Sequence, residues 1–169
     1  MSYNIRGFLN CSFSDLSHSL TQLLFSKKNL HLHIRERIKN MIGYVTLGTN
    51  DIESAAKFYD ALLAEIGARR FMEFEQFIAW SVSPELPGLA ITKPFDGNRA
   101  TVGNGVMIAL QVDSPEKVNL VYNKAIELGA KDEGAAGPRG ELPGFYAGYF
   151  RDLDGNKLNV FCMIQQPAS

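Results

Sequence analysis

The sequence predicts an α+β fold made of two βαβββ modules, whose strands form an eight-stranded, cup-shaped sheet with the helices on its outer face. Two stretches of apolar residues at helical spacing each follow a strand-like run, which predicts two strand-helix units. The second unit repeats the first, because Asp51 matches Asp113 and Gly67 matches Gly129 at one common offset. The offset is 62 residues in both cases, and a repeat of this length indicates a duplicated supersecondary module.

The first module is predicted to occupy about residues 41–95. It begins with a strand over residues 42–49, and Asn50 with Glu53 resembles the capping box that starts a helix. Apolar residues then recur at helical spacing until Gly67, which predicts the end of that helix. Three strand-like runs complete the module, over residues 69–73, 76–83 and 89–93.

The second module is predicted to occupy about residues 103–165. A strand over residues 105–113 leads to Ser114 and Pro115, which are typical of the N-cap and the first position of a helix. After Gly129, the clearest strands lie at residues 145–151 and 157–163. The turn between them, Asp-Leu-Asp-Gly-Asn, is rich in residues that tolerate a positive φ, so a tight hairpin is predicted.

The first forty residues do not share this pattern, and we predict an N-terminal extension (1–40) outside a domain that spans 41–169. The extension carries six Lys or Arg residues against two acids, and it is rich in Ser. All three histidines of the chain also lie in it. The predicted domain therefore has no imidazole to offer a metal or a reaction.

Charge and hydrophobicity exclude several kinds of partner. Beyond residue 40 the chain has 11 basic and 16 acidic residues, which argues against nucleic acid. No apolar run reaches the roughly 18 residues needed to cross a bilayer, so no membrane partner is expected. The two cysteines form neither a disulfide framework nor a metal-binding pair, and a cytoplasmic location is predicted.

Three motifs at the expected spacing resemble the vicinal oxygen chelate superfamily, which includes glyoxalases, bleomycin-resistance proteins and extradiol dioxygenases. They are Met-Ile-Gly-Tyr-Val-Thr-Leu-Gly-Thr-Asn-Asp at 41–51, Gly-Val-Met-Ile-Ala-Leu-Gln-Val-Asp at 105–113 and Tyr-Phe-Arg-Asp-Leu-Asp-Gly-Asn-Lys-Leu-Asn at 149–159. The resemblance implies a paired-module fold around a cavity, a small-molecule ligand and assembly as a homodimer.

The same resemblance implies a divalent metal held by His, Gln or Glu side chains on the first and last strands of each module. In this chain Tyr44, Met107 and Asn159 stand at three of those positions. A phenol, a thioether and a neutral amide are poor ligands for such ions. We therefore expect a divergent member with no metal and no cofactor, to which the metal-dependent mechanisms of the superfamily do not transfer.

Strand alternation predicts which side chains line the cavity. Trp80 is predicted to face it, or Phe77 if that strand has the opposite register. The aromatic residues Tyr146 and Tyr149 are further candidates. The remaining candidates alternate with residues assigned to the helix side, and they are Tyr44, Thr46, Met107, Ala109, Gln111, Asn159, Phe161 and Met163.

Three functional hypotheses follow from this lining. The first is a metal-free protein that binds a small aromatic or amphipathic molecule. The second is a metal-independent enzyme, of the lyase or isomerase type, with Tyr44 as its catalytic acid and with Asn159 and Gln111 orienting the substrate. The third is a metal-dependent glyoxalase or dioxygenase that uses atypical ligands such as Glu73, Glu75 or Glu141.

Overall fold

The computed structural model describes residues 41–140 and 142–164, and it contains the two predicted βαβββ modules. The predictions for residues 1–40 lie outside the described residues. The first module consists of β1 (Tyr44–Gly48), α1 (Ile52–Ala64), β2 (Arg69–Phe74), β3 (Phe77–Ser81) and β4 (Gly88–Thr92). The second consists of β5 (Ile108–Gln111), α2 (Pro115–Glu127), β6 (Lys131–Pro138), β7 (Phe145–Arg151) and β8 (Lys157–Met163).

Each module forms its own four-stranded mixed sheet. The strand orders are β1-β4-β3-β2 and β5-β8-β7-β6, so the two sheets have the same topology. The first strand of each module pairs in parallel with the last, and the other pairs are antiparallel. The identical order confirms the duplication. The eight predicted strands are therefore divided between two sheets, where the sequence predicted one continuous sheet.

The helix starts show how local sequence and distant contacts compete. The α1 helix is capped by Asp51, whose carboxylate accepts hydrogen bonds from the Ser54 backbone at 3.0 Å and the Ser54 hydroxyl at 2.7 Å. The predicted cap at Asn50 is therefore wrong by one residue. The Asn50 backbone instead donates to the Asp154 carboxylate at 2.9 Å. The Ser114 cap and Pro115 at the start of α2 are confirmed.

Both helices end in the same backbone motif, as the repeat predicted. Gly67 and Gly129 follow the helices with φ values of 78° and 96°, which a residue with a side chain rarely adopts. The next residues, Ala68 and Ala130, each donate to the carbonyl five positions earlier, at 3.0 and 2.9 Å. This pairing is the Schellman type of helix end.

The core lies between each helix and one face of its own sheet. Strand residues that alternate with the predicted lining positions pack beneath the helices, as the alternation requires. Leu47, Leu158 and Val160 are buried, while Val45, Ile108 and Leu110 pack against the core. The buried helix residues are Ala55, Ala56, Phe58, Tyr59, Leu62, Leu63, Val118, Val121, Tyr122 and Ala125. No helix in the described ranges is long and apolar enough to span a membrane.

The turn between β7 and β8 ties the second module to the first. Asp152, at its start, is buried and accepts hydrogen bonds from the Tyr59 hydroxyl at 2.7 Å and from the Asn156 backbone and side chain at 2.8 and 2.9 Å. Burial raises the pKa of the Asp152 carboxyl and raises that of the Tyr59 hydroxyl more strongly. The Asn156 amide also donates to the Gly48 carbonyl at 3.0 Å.

Candidate functional site

The candidate site lies on the faces of the two sheets that the helices do not cover, which we call the open faces. Since neighbouring side chains on a strand point in opposite directions, each open face carries every second residue of its strands. Tyr44 and Thr46 lie on the open face of the first sheet, and Asn159 and Phe161 lie on that of the second. These positions follow the predicted alternation.

The open face of the first sheet is aromatic. The Tyr44 and Phe77 rings lie edge to face with centroids 5.9 Å apart, above Ala79 and Ala90, which are fully buried. Phe71 lies beside Gly88, where an added Cβ would be only 3.0 Å from the ring. The absence of a side chain at this glycine therefore makes room for the ring. Tyr44 is 52% exposed and Phe71 44%, so this surface is accessible.

Trp80 does not belong to this face, and its predicted place is wrong. It is 2% exposed, its ring lies 5.8 Å from that of Tyr59, and its indole nitrogen donates to Asp60 of α1 at 2.8 Å. The β3 strand therefore has the alternative register, in which Phe77 faces away from the helix. A shift of one residue reverses every side chain of a strand, and the almost wholly apolar sequence of β3 gave no alternation to fix it.

The open face of the second sheet combines aromatic, thioether and amide groups. Met107 precedes β5, and Gln111 and Met163 end β5 and β8 on this face. The rings of Phe161 and Phe145 lie 5.4 Å apart. Tyr146, predicted here, instead donates its hydroxyl hydrogen bond to Asn119 of α2 at 3.1 Å. It therefore lies on the helix side, because β7 places Phe145, Ala147 and Tyr149 on the open face.

Asn159 has an unusual environment on this face. The side chain is 2% exposed, and its Oδ1 atom has no hydrogen-bond donor among the described residues. It stands opposite Tyr149 of β7 and Ala109 of β5. Buried polar atoms without partners are rare, because each one loses its hydrogen bonds to water without replacement. Asn159 therefore supplies an acceptor that the fold itself does not use.

Arg139 is a site residue that was not among the predicted lining residues. Its guanidinium carbon lies 5.0 Å from the centre of the Tyr149 ring. Its Nη2 atom donates to the carbonyl oxygens of Ala135 at 2.7 Å, Ala147 at 2.8 Å and Gly134 at 3.3 Å, which fixes the side chain on the open face. The signal available in the sequence was the small residues at 134, 135 and 147, which leave room for a long side chain.

Further charged groups surround Tyr149. The Lys157 ammonium lies 5.8 Å from the centre of its ring and 3.8 Å from the Glu133 carboxylate. Glu133 also accepts a hydrogen bond from Arg151 at 3.0 Å, and this bond is the main cause of the lowered pKa of its carboxyl. One carboxylate thus pairs with two cations. Arg139 forms no ion pair among the described residues, although its charge contributes to the lowered pKa of the Asp132 carboxyl. Three cations and the Glu133 carboxylate thus surround Tyr149, and this face is locally positive.

The pockets that contain residues predicted for the site include one beside each sheet. One, of about 660 Å³, lies between β5 and the helix side of the first sheet, and Trp80, Met107 and Gln111 are among its lining residues. The other, of about 570 Å³, lies on the open face of the second sheet. Its lining residues are Pro138, Arg139, Gly140, Leu142, Phe145 and Tyr149. Tyr44 and Asn159 belong to separate sheets and line neither pocket.

The side chains at the expected metal positions do not fit a divalent ion. Tyr44 lies in a different sheet from Met107 and Asn159, and none of the three carries an imidazole or a carboxylate. Within residues 41–140 and 142–164, no group of three or more His, Cys, Asp or Glu side chains could hold a metal. Glu73 is paired with Arg70 at 2.6 Å on the helix side, and Glu141 lies outside the described residues.

Comparisons with known proteins agree with this architecture. The family model described as Glyoxalase/Bleomycin resistance protein/Dioxygenase superfamily matches residues 41–160. A crystal structure of a glyoxalase/bleomycin resistance protein from Albidiferax ferrireducens T118 is 32% identical, with a TM-score of 0.66 over 76% of this chain and all of that one. No curated protein matches the chain.

More distant structures share the fold alone. A glyoxalase/bleomycin resistance protein/dioxygenase family enzyme from Burkholderia phytofirmans PsJN is 16% identical, with a TM-score of 0.58 over 72% of this chain and 98% of that one. The fosfomycin resistance protein FosX from Mesorhizobium loti is also 16% identical, with a TM-score of 0.53 over 74% of this chain and 92% of that one.

Proposed function

This chain belongs to the glyoxalase, bleomycin-resistance and dioxygenase superfamily, and on that premise we propose that it binds a small aromatic or amphipathic molecule without a metal. The ligand would lie on the open faces, against Tyr44, Thr46, Met107, Gln111, Tyr149, Asn159 and Phe161. Aromatic walls with a few polar groups are the usual lining of a small-molecule site. Trp80 and Tyr146 do not belong to this binding surface, because both pack against helices.

The observation that carries this proposal is the unpartnered oxygen of Asn159. Leaving a buried acceptor without a donor costs about 1–3 kcal/mol, which a leucine of similar size would avoid. Such a cost is typical of positions that are kept for binding. Because this oxygen is buried in the ligand-free chain, the side chains that cover it would have to move before it accepts a hydrogen bond from an N–H or O–H group of the ligand.

A neutral fluorescent probe with one N–H group, N-phenyl-1-naphthylamine, tests the proposal. Titration of the full chain should give saturable binding of one probe per chain, unchanged by a chelator. Asn159→Leu should weaken binding about tenfold or more, because the acceptor is lost. Asn123→Leu on the exposed side of α2 is the matched control and should bind normally. Equal binding by the two variants would contradict the proposal.

No observation favours the enzyme hypothesis in the same way. The Tyr44 hydroxyl makes no hydrogen bond with another described residue, so no neighbouring group is seen to activate it as an acid. Turnover would need a base or an acid on an open face that is oriented by a second group. We therefore propose a binding protein and not a catalyst.

We also propose that the protein is a cytoplasmic homodimer. Large apolar side chains on the open faces are well exposed in the single chain, including Phe74 at 66%, Met107 at 41% and Met163 at 46%. Exposed apolar surface of this kind is typical of interaction sites. A second copy would cover these side chains and enclose the ligand. The free Cys162, buried in the core, is compatible with a reducing compartment.

A further inference from the structure

The pocket on the second sheet combines aromatic walls with one charged side chain. Phe145 and Tyr149 supply two rings, Leu142 and Pro138 supply aliphatic surface, and Arg139 is the cation. The volume of about 570 Å³ is within the range of small-molecule sites. The pocket therefore suits a molecule with an aromatic body and a negative group.

Arg139 is held in place before any ligand arrives. The three backbone carbonyls that accept from Nη2 fix the guanidinium above Tyr149. A side chain that is already ordered loses little further conformational entropy on binding, so its interactions contribute more to affinity. The Nη1 atom makes no hydrogen bond with any described residue, and Nε is buried without a partner. The guanidinium thus retains donor capacity that the fold does not use.

The charges around the pocket favour one negative group and not several. Arg151 and Lys157 both pair with the Glu133 carboxylate, and Arg139 forms no ion pair among the described residues. Beyond residue 40, however, acidic residues outnumber basic residues by 16 to 11. This overall negative charge repels polyanions, whereas the local positive patch attracts a group of charge minus one. A planar carboxylate also matches the donor geometry of a guanidinium.

We propose that this pocket binds an aromatic monocarboxylate, with the carboxylate on Arg139 and the ring against Phe145 and Tyr149. The Lys157 ammonium, 5.8 Å from the centre of the Tyr149 ring, adds electrostatic attraction. This inference rests on the proposed function, because it names the ligand class of the same open face. It adds a charged recognition element that an uncharged aromatic ligand does not need.

The test compares 1-naphthoate with its neutral isostere, 1-naphthalenecarboxamide, by calorimetric titration of the full-length protein. The carboxylate should bind about tenfold or more tightly than the amide, since hydrogen bonds between charged groups are the stronger kind. Raising the salt concentration should weaken the binding of 1-naphthoate and leave the binding of the amide unchanged. Equal affinities would overturn the monocarboxylate assignment while supporting a neutral aromatic ligand, and binding of neither compound would overturn both proposals.

Single substitutions test which side chains cause the preference for the carboxylate. Arg139→Gln should remove most of the preference for the carboxylate, and Arg99→Gln, which removes the same charge from an exposed loop, should retain it. Because Arg139 also donates hydrogen bonds to three backbone carbonyls, the fold of the Arg139→Gln variant is checked by circular dichroism. Lys157→Gln makes no such backbone contact and should lower naphthoate affinity several-fold with amide affinity unchanged. A preference that survives in both Arg139→Gln and Lys157→Gln would overturn the proposal.

Discussion

The buried amide of Asn159 lowers the stability of the fold. Its Oδ1 atom has no donor among the described residues, and the side chain is 2% exposed. We predict that Asn159→Leu raises the free energy of unfolding by about 1 kcal/mol, because it removes the unpartnered acceptor with little change in volume. Urea denaturation measures the difference. A loss of stability in this variant would mean that the amide has a partner, such as a bound water.

Asp60 couples helix α1 to the first sheet through charge. Its carboxylate accepts two hydrogen bonds from Arg70, at 2.9 and 2.6 Å, and one from the Trp80 indole at 2.8 Å. The hydrogen bond from Arg70 is the largest cause that lowers the Asp60 pKa below its ordinary value of 3.8, and the bond from Trp80 acts in the same direction. The ionised form is therefore favoured in the folded protein. Its stabilising effect is present above pH 3.8 and is lost as the pH falls through the lowered pKa.

We predict that Asp60→Asn removes this pH dependence. At neutral pH the variant should be less stable by under about 1 kcal/mol, because the ion pair is partly exposed. As the pH falls below 3.8 and through the lowered pKa of Asp60, the two proteins should approach each other in stability. Thermal unfolding across this pH range is the measurement, and Glu127→Gln, which removes an exposed pair with Lys124, is the control. A constant difference at all pH values would contradict the assignment.

At the scale of elements, the strand β7 depends on a close approach to helix α2. A Cβ atom added at Gly148 would lie 2.7 Å from Cδ2 of Tyr122, and Tyr122 is fixed by its hydrogen bond to Asp132 at 2.9 Å. We predict that Gly148→Ala lowers the free energy of unfolding by about 1–3 kcal/mol through overpacking. Gly140→Ala is the matched control, because its added Cβ meets nothing within 4 Å. In chemical denaturation, Gly148→Ala should show the lower free energy of unfolding, while Gly140→Ala should stay close to the wild type.

The elements also show what a sequence can predict. Strands β7 and β8 were predicted with their observed limits. The Asp-Gly-Asn turn between them determines where β7 ends and where β8 begins. The direction of side chains was predictable on β1, β5 and β8, where family motifs set the register. On β3, four of the five residues are buried, so alternation could not distinguish Phe77 from Trp80. The position of Arg139 depends on three carbonyls of the folded sheet. The small residues at 134, 135 and 147 indicate space for its side chain, but they do not identify these acceptors.

At the scale of the whole molecule, the two modules are joined by a buried carboxylate. We predict that Tyr59→Phe lowers the free energy of unfolding by about 1–2 kcal/mol, since Asp152 then loses a donor inside the protein. Tyr44→Phe, whose hydroxyl makes no hydrogen bond with described residues, should have no effect. Trp80, the single tryptophan, lies beside Tyr59 and reports the unfolding of the first module by fluorescence.

The same contact should make unfolding cooperative. Because Asp152 belongs to the second module and Tyr59 to the first, fluorescence of Trp80 and circular dichroism of the whole domain should change together in urea. Two separate transitions in the wild-type protein would show that the modules unfold independently, and the importance assigned to Asp152 would then be wrong.

The proposed dimer must also satisfy the charges on the open faces. Pairing the second sheets of two copies would bring Arg139 and Lys157 of one chain towards the same cations of the other, and such repulsion disfavours an interface. Pairing the first sheet of one copy with the second sheet of the other avoids this. It is compatible with twofold symmetry and forms two equivalent sites.

This arrangement predicts that one charge on the first sheet breaks the dimer. Phe74 is 66% exposed and its ring lies 6.3 Å from that of Phe77, so Phe74→Glu would place a carboxylate in an apolar interface. Light scattering should give twice the chain mass of 18.7 kDa for the wild type and a single chain mass for the variant at micromolar concentration. Leu120→Glu, on the exposed side of α2, should remain a dimer. A monomeric wild type would refute the dimer, and ligand binding by that monomer would show that one open face is sufficient.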